Sequence, residues 1–169
     1  SPQVEGFYDP DTATITYVAR DPASPACVII DPVLDYDPKA ARISTRSVDR
    51  LLEHLRGERL EPRWILETHV HADHLSGAAR LQEALGAPVG IGARVTATQR
   101  HFAPLFDLGA DFPVDGSQFD RLFADGDRFE VGALEFEVLA TPGHTPACVS
   151  YRCGDCVFVG DTLFMPDYG

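Results

Sequence analysis

Basic residues are scarce in this sequence. Only 14 Lys and Arg accompany 26 Asp and Glu, which gives a formal net charge of −12 at pH 7. Nucleic acids and anionic membranes are bound by clustered basic side chains. The composition therefore argues against both partners, and the acidic surface favours solubility.

Long apolar runs are also missing. No run approaches the roughly 20 residues that a membrane-spanning helix needs. Residues 1–5 have neither the basic start nor the apolar core of a signal peptide. We therefore expect a soluble, cytoplasmic protein. The 169 residues, 44% of them hydrophobic, suffice for one domain with a core, which we expect to occupy 1–169.

Cysteine is too rare for a scaffold held together by disulfides. The four thiols, at Cys27, Cys148, Cys153 and Cys156, are unevenly placed and fit a reducing compartment. The C-x-x-C spacing of the last two is also found in redox pairs and zinc sites. Because Gly-Asp between them favours a hairpin turn, we interpret these cysteines as two thiols on either side of a tight turn.

Hydrophobic patterning predicts a mixture of strands and helices. A helix is expected around Val48–Leu55, where apolar residues recur at helical spacing, with Gly57 as its end. A second helix over 76–85 would bury Leu75, Ala78, Ala79 and Leu85, and a third is expected over 94–101, followed by loop to about 127. The predicted strands are 6–9, 13–18, 26–30, 63–67, 88–91, 134–139, 148–152 and 156–159.

Histidine is concentrated in one short segment. His69, His71 and His74 lie with Asp73 directly after the predicted strand 63–67, so half of the six histidines fall within six residues. Neutral imidazole is the commonest protein ligand for transition metals. The segment therefore predicts a metal site.

Two further candidate ligands also follow apolar strands. His144 comes after strand 134–139, and Asp161 comes after strand 156–159. Each is preceded by a glycine, Gly143 or Gly160, which we expect to permit a tight turn toward the metal. Asp31 ends another strand and is interpreted as a turn residue, with an orienting role near the metal as the alternative.

The order H-x-H-x-D-H, T-P-G-H-T and G-D-T-L-F closely resembles the metallo-β-lactamase superfamily. The resemblance implies an αββα sandwich of the α/β (α+β) class with metals at one edge of the paired sheets. Segments 67–78, 119–127 and 160–169 look most like bacterial persulfide dioxygenases, also called sulfur dioxygenases. Glyoxalase II shares the first and third motifs, so those two alone do not separate dioxygenase from hydrolase.

Carried over residue by residue, the dioxygenase pattern implies that His69, His144 and Asp161 are the metal ligands and the catalytic centre. Two imidazoles and one carboxylate form the facial triad of non-haem Fe(II) oxygenases. The resemblance thus implies one Fe(II) per chain and oxidation of glutathione persulfide, or a similar persulfide, by O2 and water to sulfite and thiol. A homodimer is compatible with this prediction.

His71, Asp73 and His74 distinguish the alternatives. In a dioxygenase they would orient the ligands through hydrogen bonds. In a glyoxalase II-like thioester hydrolase they would help to bind one or two Zn(II) ions. A metal-binding module without catalysis is the third possibility. The family pattern also has a further histidine after Asp161, so we expect the domain to be incomplete at its C-terminus.

Overall fold

The computed structural model describes residues 1–165 and 167–169; Pro166, which belongs to the segment 160–169 of the resemblance, lies outside the described residues. The helices are α1 (Arg46–Gly57), α2 (Ala78–Leu85) and α3 (Val95–Leu105), and a 3-10 turn covers Gly160–Thr162. The strands are β1 (Gln3–Asp9), β2 (Thr14–Arg20), β3 (Ala26–Ile30), β4 (Val33–Asp37), β5 (Arg42–Ser44), β6 (Glu61–Leu66), β7 (Leu75–Ser76), β8 (Val89–Gly92), β9 (Arg121–Phe123), β10 (Arg128–Val131), β11 (Leu134–Ala140), β12 (Val149–Cys153) and β13 (Cys156–Phe158).

Two sheets carry the fold. The larger has the strand order β1-β2-β3-β6-β8-β9, with antiparallel pairing up to β3 and parallel pairing from β3 to β9. The smaller is the antiparallel meander β10-β11-β12-β13. A third, short sheet of order β5-β4-β7 places the hairpin β4–β5 beside the segment that follows the histidine cluster.

Apolar side chains form two cores, one on each face of the larger sheet. The core between the two sheets includes Val28, Ile30, Leu66, Phe136, Val138 and Tyr151. The core under the helices includes Val48, Leu51 and Leu55 of α1, Leu81 of α2, and Ile29 and Ile65 of the sheet. The described residues thus form three layers of the expected sandwich, with helices, larger sheet and smaller sheet in that order.

The predicted elements agree well with the structure where apolar residues repeat over several positions of the sequence. Helix α1 and strands β2, β3, β8 and β11 to β13 occupy the expected segments to within a few residues. The predicted apolar face of α2 was partly wrong, because Leu75 and Ala79 are exposed while Leu81 is fully buried. The loop predicted over 102–127 was also partly wrong, because α3 continues to Leu105 and β9 lies within this segment.

The C-x-x-C segment is a hairpin turn, as predicted. Cys153 and Cys156 are paired across β12 and β13, and Gly154 between them has a left-handed backbone with φ of 60°. All four cysteines are free thiols. None of the described helices is long and apolar enough to cross a membrane.

Two hydrogen bonds connect the sheets at the edge where the histidine cluster lies. The buried hydroxyl of Tyr151 donates to the carbonyl of Glu67 at 2.8 Å. The amide of Val149 donates to the carbonyl of Thr68 at 2.9 Å. Since Glu67 and Thr68 directly precede His69, these bonds fix the backbone from which the cluster begins.

Candidate metal centre

Three predicted ligands converge at one edge of the two sheets. His69 follows β6 of the larger sheet, while His144 and Asp161 follow β11 and β13 of the smaller sheet. The Nε2 atoms of His69 and His144 lie 3.7 and 3.3 Å from Oδ2 of Asp161. One donor atom from each residue lies within 4.8 Å of the other two. The fold thus brings together side chains up to 92 positions apart in the sequence.

The three side chains differ in their exposure. That of His69 is 1% exposed, whereas those of His144 and Asp161 are 41% and 24% exposed. His69 therefore forms the buried base of the cluster. The open side, where a small molecule can approach, is bordered by His144 and Asp161.

The cluster fits a transition metal. Nε2 of His69 is buried and has no hydrogen-bond partner among the described residues. A buried polar atom without a partner is costly, and a metal ion would satisfy it. Two imidazoles and one carboxylate suit Fe(II) in a facial triad and also suit Zn(II).

Thr68 and Asp31 fix which nitrogen of His69 is available. The hydroxyl of Thr68 donates to Oδ2 of Asp31 at 2.7 Å and lies 3.0 Å from Nδ1 of His69. A hydroxyl has only one hydrogen, so Oγ1 of Thr68 accepts a hydrogen bond from Nδ1–H of His69. This assignment leaves the lone pair on Nε2, the atom that faces Asp161.

Asp31 is more than the turn residue that its Asp-Pro context predicted. It is buried, has a left-handed backbone with φ of 50°, and accepts a second hydrogen bond, from the amide of Thr68, at 2.7 Å. Burial, with a smaller effect from nearby His71, lowers the pKa of His69 to about 4. His69 is therefore neutral at pH 7, as a metal ligand must be.

Replacing Thr68 by Val should weaken metal binding by roughly 10- to 100-fold, the usual effect of losing a residue that orients a metal ligand. Valine has a similar shape but cannot accept from Nδ1–H of His69. Thr68→Ser is the matched control, because it keeps the hydroxyl and should keep most of the affinity. Metal titration against a competing chelator measures both variants, and equal affinity of Thr68→Val and wild type would contradict the assignment.

His71 has a different environment from His69. Its Nε2 lies 3.2 Å from Oδ1 of Asp31 and 3.1 Å from Oε2 of Glu67, and all three side chains are buried. Burial alone would lower the pKa of His71, but the hydrogen bonds and charges of the two carboxylates outweigh it and raise the pKa to about 10. Glu67 was not predicted as part of the site, because a glutamate near a strand end carries no signal of burial.

His71, Asp73 and His74 form a second cluster, whose donor atoms also lie within 4.8 Å of one another. Nδ1 of His74 donates to the carbonyl of Leu75 at 3.0 Å, and its Nε2 is buried without a hydrogen-bond partner among the described residues. Asp73 is exposed. The two donor groups share no residue, although the rings of His69 and His71 are in contact, with centroids 4.1 Å apart.

A groove of about 1030 Å³ lies between the second cluster and the hairpin β4–β5, and Asp11, Asp35, Asp37 and Asp73 line it. Its wall includes Arg46, which pairs with Asp11 and Asp35 at 3.0 Å each. Lys39 and Arg42 also line the groove, and neither has a carboxylate partner among residues 1–165 and 167–169. These two cations are the positive charges available to an anionic ligand there.

The sequence matches the profile described as "Metallo-beta-lactamase superfamily" over residues 11–169. The chain belongs to the metallo-beta-lactamase superfamily. Membership confirms the predicted family and fold, and the superfamily is one of metal-binding enzymes. Its metals are expected at the sheet edge where His69, His144 and Asp161 converge.

Similar proteins within the superfamily have different names. The chain is 50% identical to a probable metallo-hydrolase of Burkholderia pseudomallei, covering 98% of this chain and 60% of that protein. It is 47% identical to glyoxylase B2 of Dictyostelium discoideum, covering 99% and 58%. It is 30% identical to the mitochondrial persulfide dioxygenase ETHE1 of Homo sapiens, covering 96% and 53%. The chain therefore spans between 53 and 60% of the length of these relatives.

A solved structure supports the same relationship. The crystal structure of ETHE1 from Myxococcus xanthus superimposes with a TM-score of 0.73 at 32% identity, covering 96% of this chain and 59% of that one. The predicted resemblance to persulfide dioxygenases is thus present at 30 to 32% identity. The two more similar relatives named above carry the names hydrolase and glyoxylase.

Proposed function

We propose that this superfamily member carries the iron centre of a persulfide dioxygenase. His69, His144 and Asp161 would hold one Fe(II) per chain. The reaction would convert a persulfide RSSH, O2 and H2O into RSH, sulfite and two protons, which balances atoms and charge. Glutathione persulfide, or a persulfide of a similar small thiol, is the proposed substrate.

The position of His71 is the observation that favours the ligand set of an iron dioxygenase over that of a hydrolase. In a dinuclear hydrolase of this superfamily His71 would join the first metal. Here it lies outside the donor group of His69, His144 and Asp161, and its Nε2 contacts two buried carboxylates. The remaining group of two imidazoles and one carboxylate is the ligand set of non-haem Fe(II) oxygenases.

The residues of the chain would hold the metal ligands in place and leave an open side for the substrate. Burial keeps His69 neutral, Thr68 and Asp31 orient its ring, and the exposed sides of His144 and Asp161 leave room for a small molecule. A bound Fe(II) would supply the redox chemistry with O2 that side chains lack.

The full-length protein, reconstituted with Fe(II) under anaerobic conditions, is expected to contain one iron per chain. It should then consume O2 only when glutathione persulfide is added. The measurements are metal analysis and an oxygen electrode, with S-lactoylglutathione as the competing substrate. Two metals per chain with cleavage of S-lactoylglutathione and no O2 uptake would overturn the proposal.

A glyoxalase II-like thioester hydrolase is the second candidate, and a specific observation favours it. The cluster of His71, Asp73 and His74 includes Nε2 of His74, which is buried without a hydrogen-bond partner in the described part of the chain and could ligate a second ion. Zn(II), at one or two ions per chain, would then replace iron. Metal binding without either activity would indicate a non-catalytic module.

A further inference from the structure

Three hydroxyl groups form a chain across the smaller sheet at the edge where the candidate ligands lie. Oγ1 of Thr162 donates a hydrogen bond to Oγ1 of Thr141 at 3.1 Å, and Oγ1 of Thr141 lies 3.0 Å from Oγ of Ser150. A hydroxyl has one hydrogen and two lone pairs, so Thr141 can accept from Thr162 and still pair with Ser150. The proposed function assigns no task to these three hydroxyls.

The chain of hydroxyls joins three successive strands. Thr141 directly follows β11, Ser150 belongs to β12, and Thr162 ends the 3-10 turn after β13. Since β12 lies between β11 and β13, the two outer strands are not paired with each other in the part of the chain that the structure describes. Neighbouring strands are about 4.8 Å apart, so the ends of β11 and β13 start from positions roughly 10 Å apart.

The segments that follow these two strands carry two of the candidate ligands. His144 lies three positions after Thr141, and Asp161 directly precedes Thr162. Despite the intervening strand, Nε2 of His144 and Oδ2 of Asp161 are only 3.3 Å apart. Besides that contact, the described residues form one hydrogen bond between segments 141–148 and 160–162, the bond from Thr162 to Thr141.

The loop that carries His144 is closed on itself at Thr141. The amide of Thr141 donates to the carbonyl of Cys148 at 3.0 Å, which ties the two ends of the loop together. The side chain of His144 is 41% exposed, so packing does little to fix its position. Where Thr141 lies relative to Thr162 therefore decides how far His144 lies from Asp161.

We propose that the hydrogen bond between Thr141 and Thr162 sets the distance between His144 and Asp161, so that both threonines are positioning residues of the metal centre. The inference rests on the ligand set of the proposed function. It applies to iron and zinc alike, because it concerns the placement of the donor atoms and not the reaction. Both threonines belong to the sequence motifs, T-P-G-H-T and G-D-T-L-F, that contain the two ligands.

Thr162→Val in the full-length protein is the main test. Valine keeps the shape of threonine but cannot donate to Thr141, and the pair of Thr141 with Ser150 remains. The affinity for Co(II), measured against a competing chelator, should fall by about tenfold, the lower end of the usual effect of residues that orient metal ligands. The absorption spectrum of bound Co(II) should change as well, because the donor atoms are displaced. Thr162→Ser keeps the hydroxyl and should restore both the affinity and the spectrum.

Thr141→Val removes the same bond from the other side. The double variant with Thr162→Val should bind Co(II) as Thr141→Val does, because its second substitution removes no further contact between the two segments. Thr141→Val also takes a partner from the buried hydroxyl of Ser150, so thermal unfolding of the metal-free protein is measured beside affinity. If Thr141→Val does not fold, Thr162→Val decides alone.

The outcomes separate this inference from the proposed function. Wild-type affinity and an unchanged Co(II) spectrum in Thr162→Val, or losses that multiply in the double variant, would overturn the role of the bond and leave the proposed function intact. A wild-type protein that binds no Co(II) would overturn both. Metal binding by wild type without O2 uptake in the presence of glutathione persulfide would overturn the proposed function alone.

Discussion

Replacing His144 by alanine is expected to abolish stoichiometric metal binding. His144 provides one of three donor atoms in a cluster within 4.8 Å, and the remaining His69 and Asp161 are too few to hold a transition metal against solvent. The side chain is 41% exposed and lies on a loop after β11, so its loss should cost little folding stability. Metal analysis after gel filtration and thermal unfolding of the metal-free protein separate the two effects.

Asp73→Ala is the comparison variant for His144→Ala. Asp73 is exposed and belongs only to the cluster with His71 and His74, so a one-metal centre should retain its ion and most of its oxygen uptake. Loss of metal in both variants would contradict the proposed ligand set and indicate a dinuclear centre. Retention of metal by His144→Ala would exclude His144 as a ligand.

The elements that could be predicted from the sequence are those with a strong repeating pattern. Apolar residues of α1 recur at helical spacing, and the buried face of this helix consists of Val48, Leu51 and Leu55. Leu134 to Ala140 alternates because one face of β11 packs in the core. Such local patterns reflect burial directly, so these elements can be predicted from the sequence.

Strands β4, β5, β7, β9 and β10 were not predicted from the sequence. Strands β5, β7 and β9 have two or three residues, and pairing with distant neighbours defines them more than their own composition. For example, Ile91 of β8 pairs with Leu122 of β9, 31 positions later. A two- or three-residue segment shows no period, and sequence propensity does not report such long-range pairing.

In the site, too, some residues could be predicted from the local sequence and others only from contacts in the folded chain. The candidate ligands His69, His144 and Asp161 were identified by their residue types and their positions after strands, and they stay a prediction as metal ligands. The roles of Thr68 and Glu67 arise from contacts with Asp31 and His71 that only the folded chain brings together. Residues that orient the ligands therefore cannot be predicted from sequence motifs alone.

Gly160→Ala is expected to damage both folding and metal binding. Gly160 has φ of 50°, in the left-handed region that costs other residues roughly 1–2 kcal/mol. A Cβ there would come within 2.9 Å of Cβ of Thr68 and even closer to its hydroxyl oxygen. Thr68 cannot move away cheaply, because its hydroxyl contacts both Asp31 and His69.

Gly143→Ala is the matched comparison, since each glycine directly precedes a candidate ligand. The chain bends at Gly143 as predicted, but φ of Gly143 is not left-handed and a Cβ there would meet no atom within 4 Å, so this bend does not require glycine. We therefore expect Gly143→Ala to keep its metal and its stability. Gly160→Ala should lose at least about 2 kcal/mol of unfolding free energy, combining backbone strain and overpacking.

Denaturant unfolding of the metal-free variants measures the loss of stability, and competition with a chelator measures the loss of metal affinity. Because Asp161 follows Gly160 directly, a backbone that moves to relieve the contact with Thr68 also moves Asp161 away from His69 and His144. Metal affinity should therefore fall together with stability in Gly160→Ala. If Gly160→Ala behaved like Gly143→Ala in both measurements, Gly160 would not be the residue that brings Asp161 to the cluster.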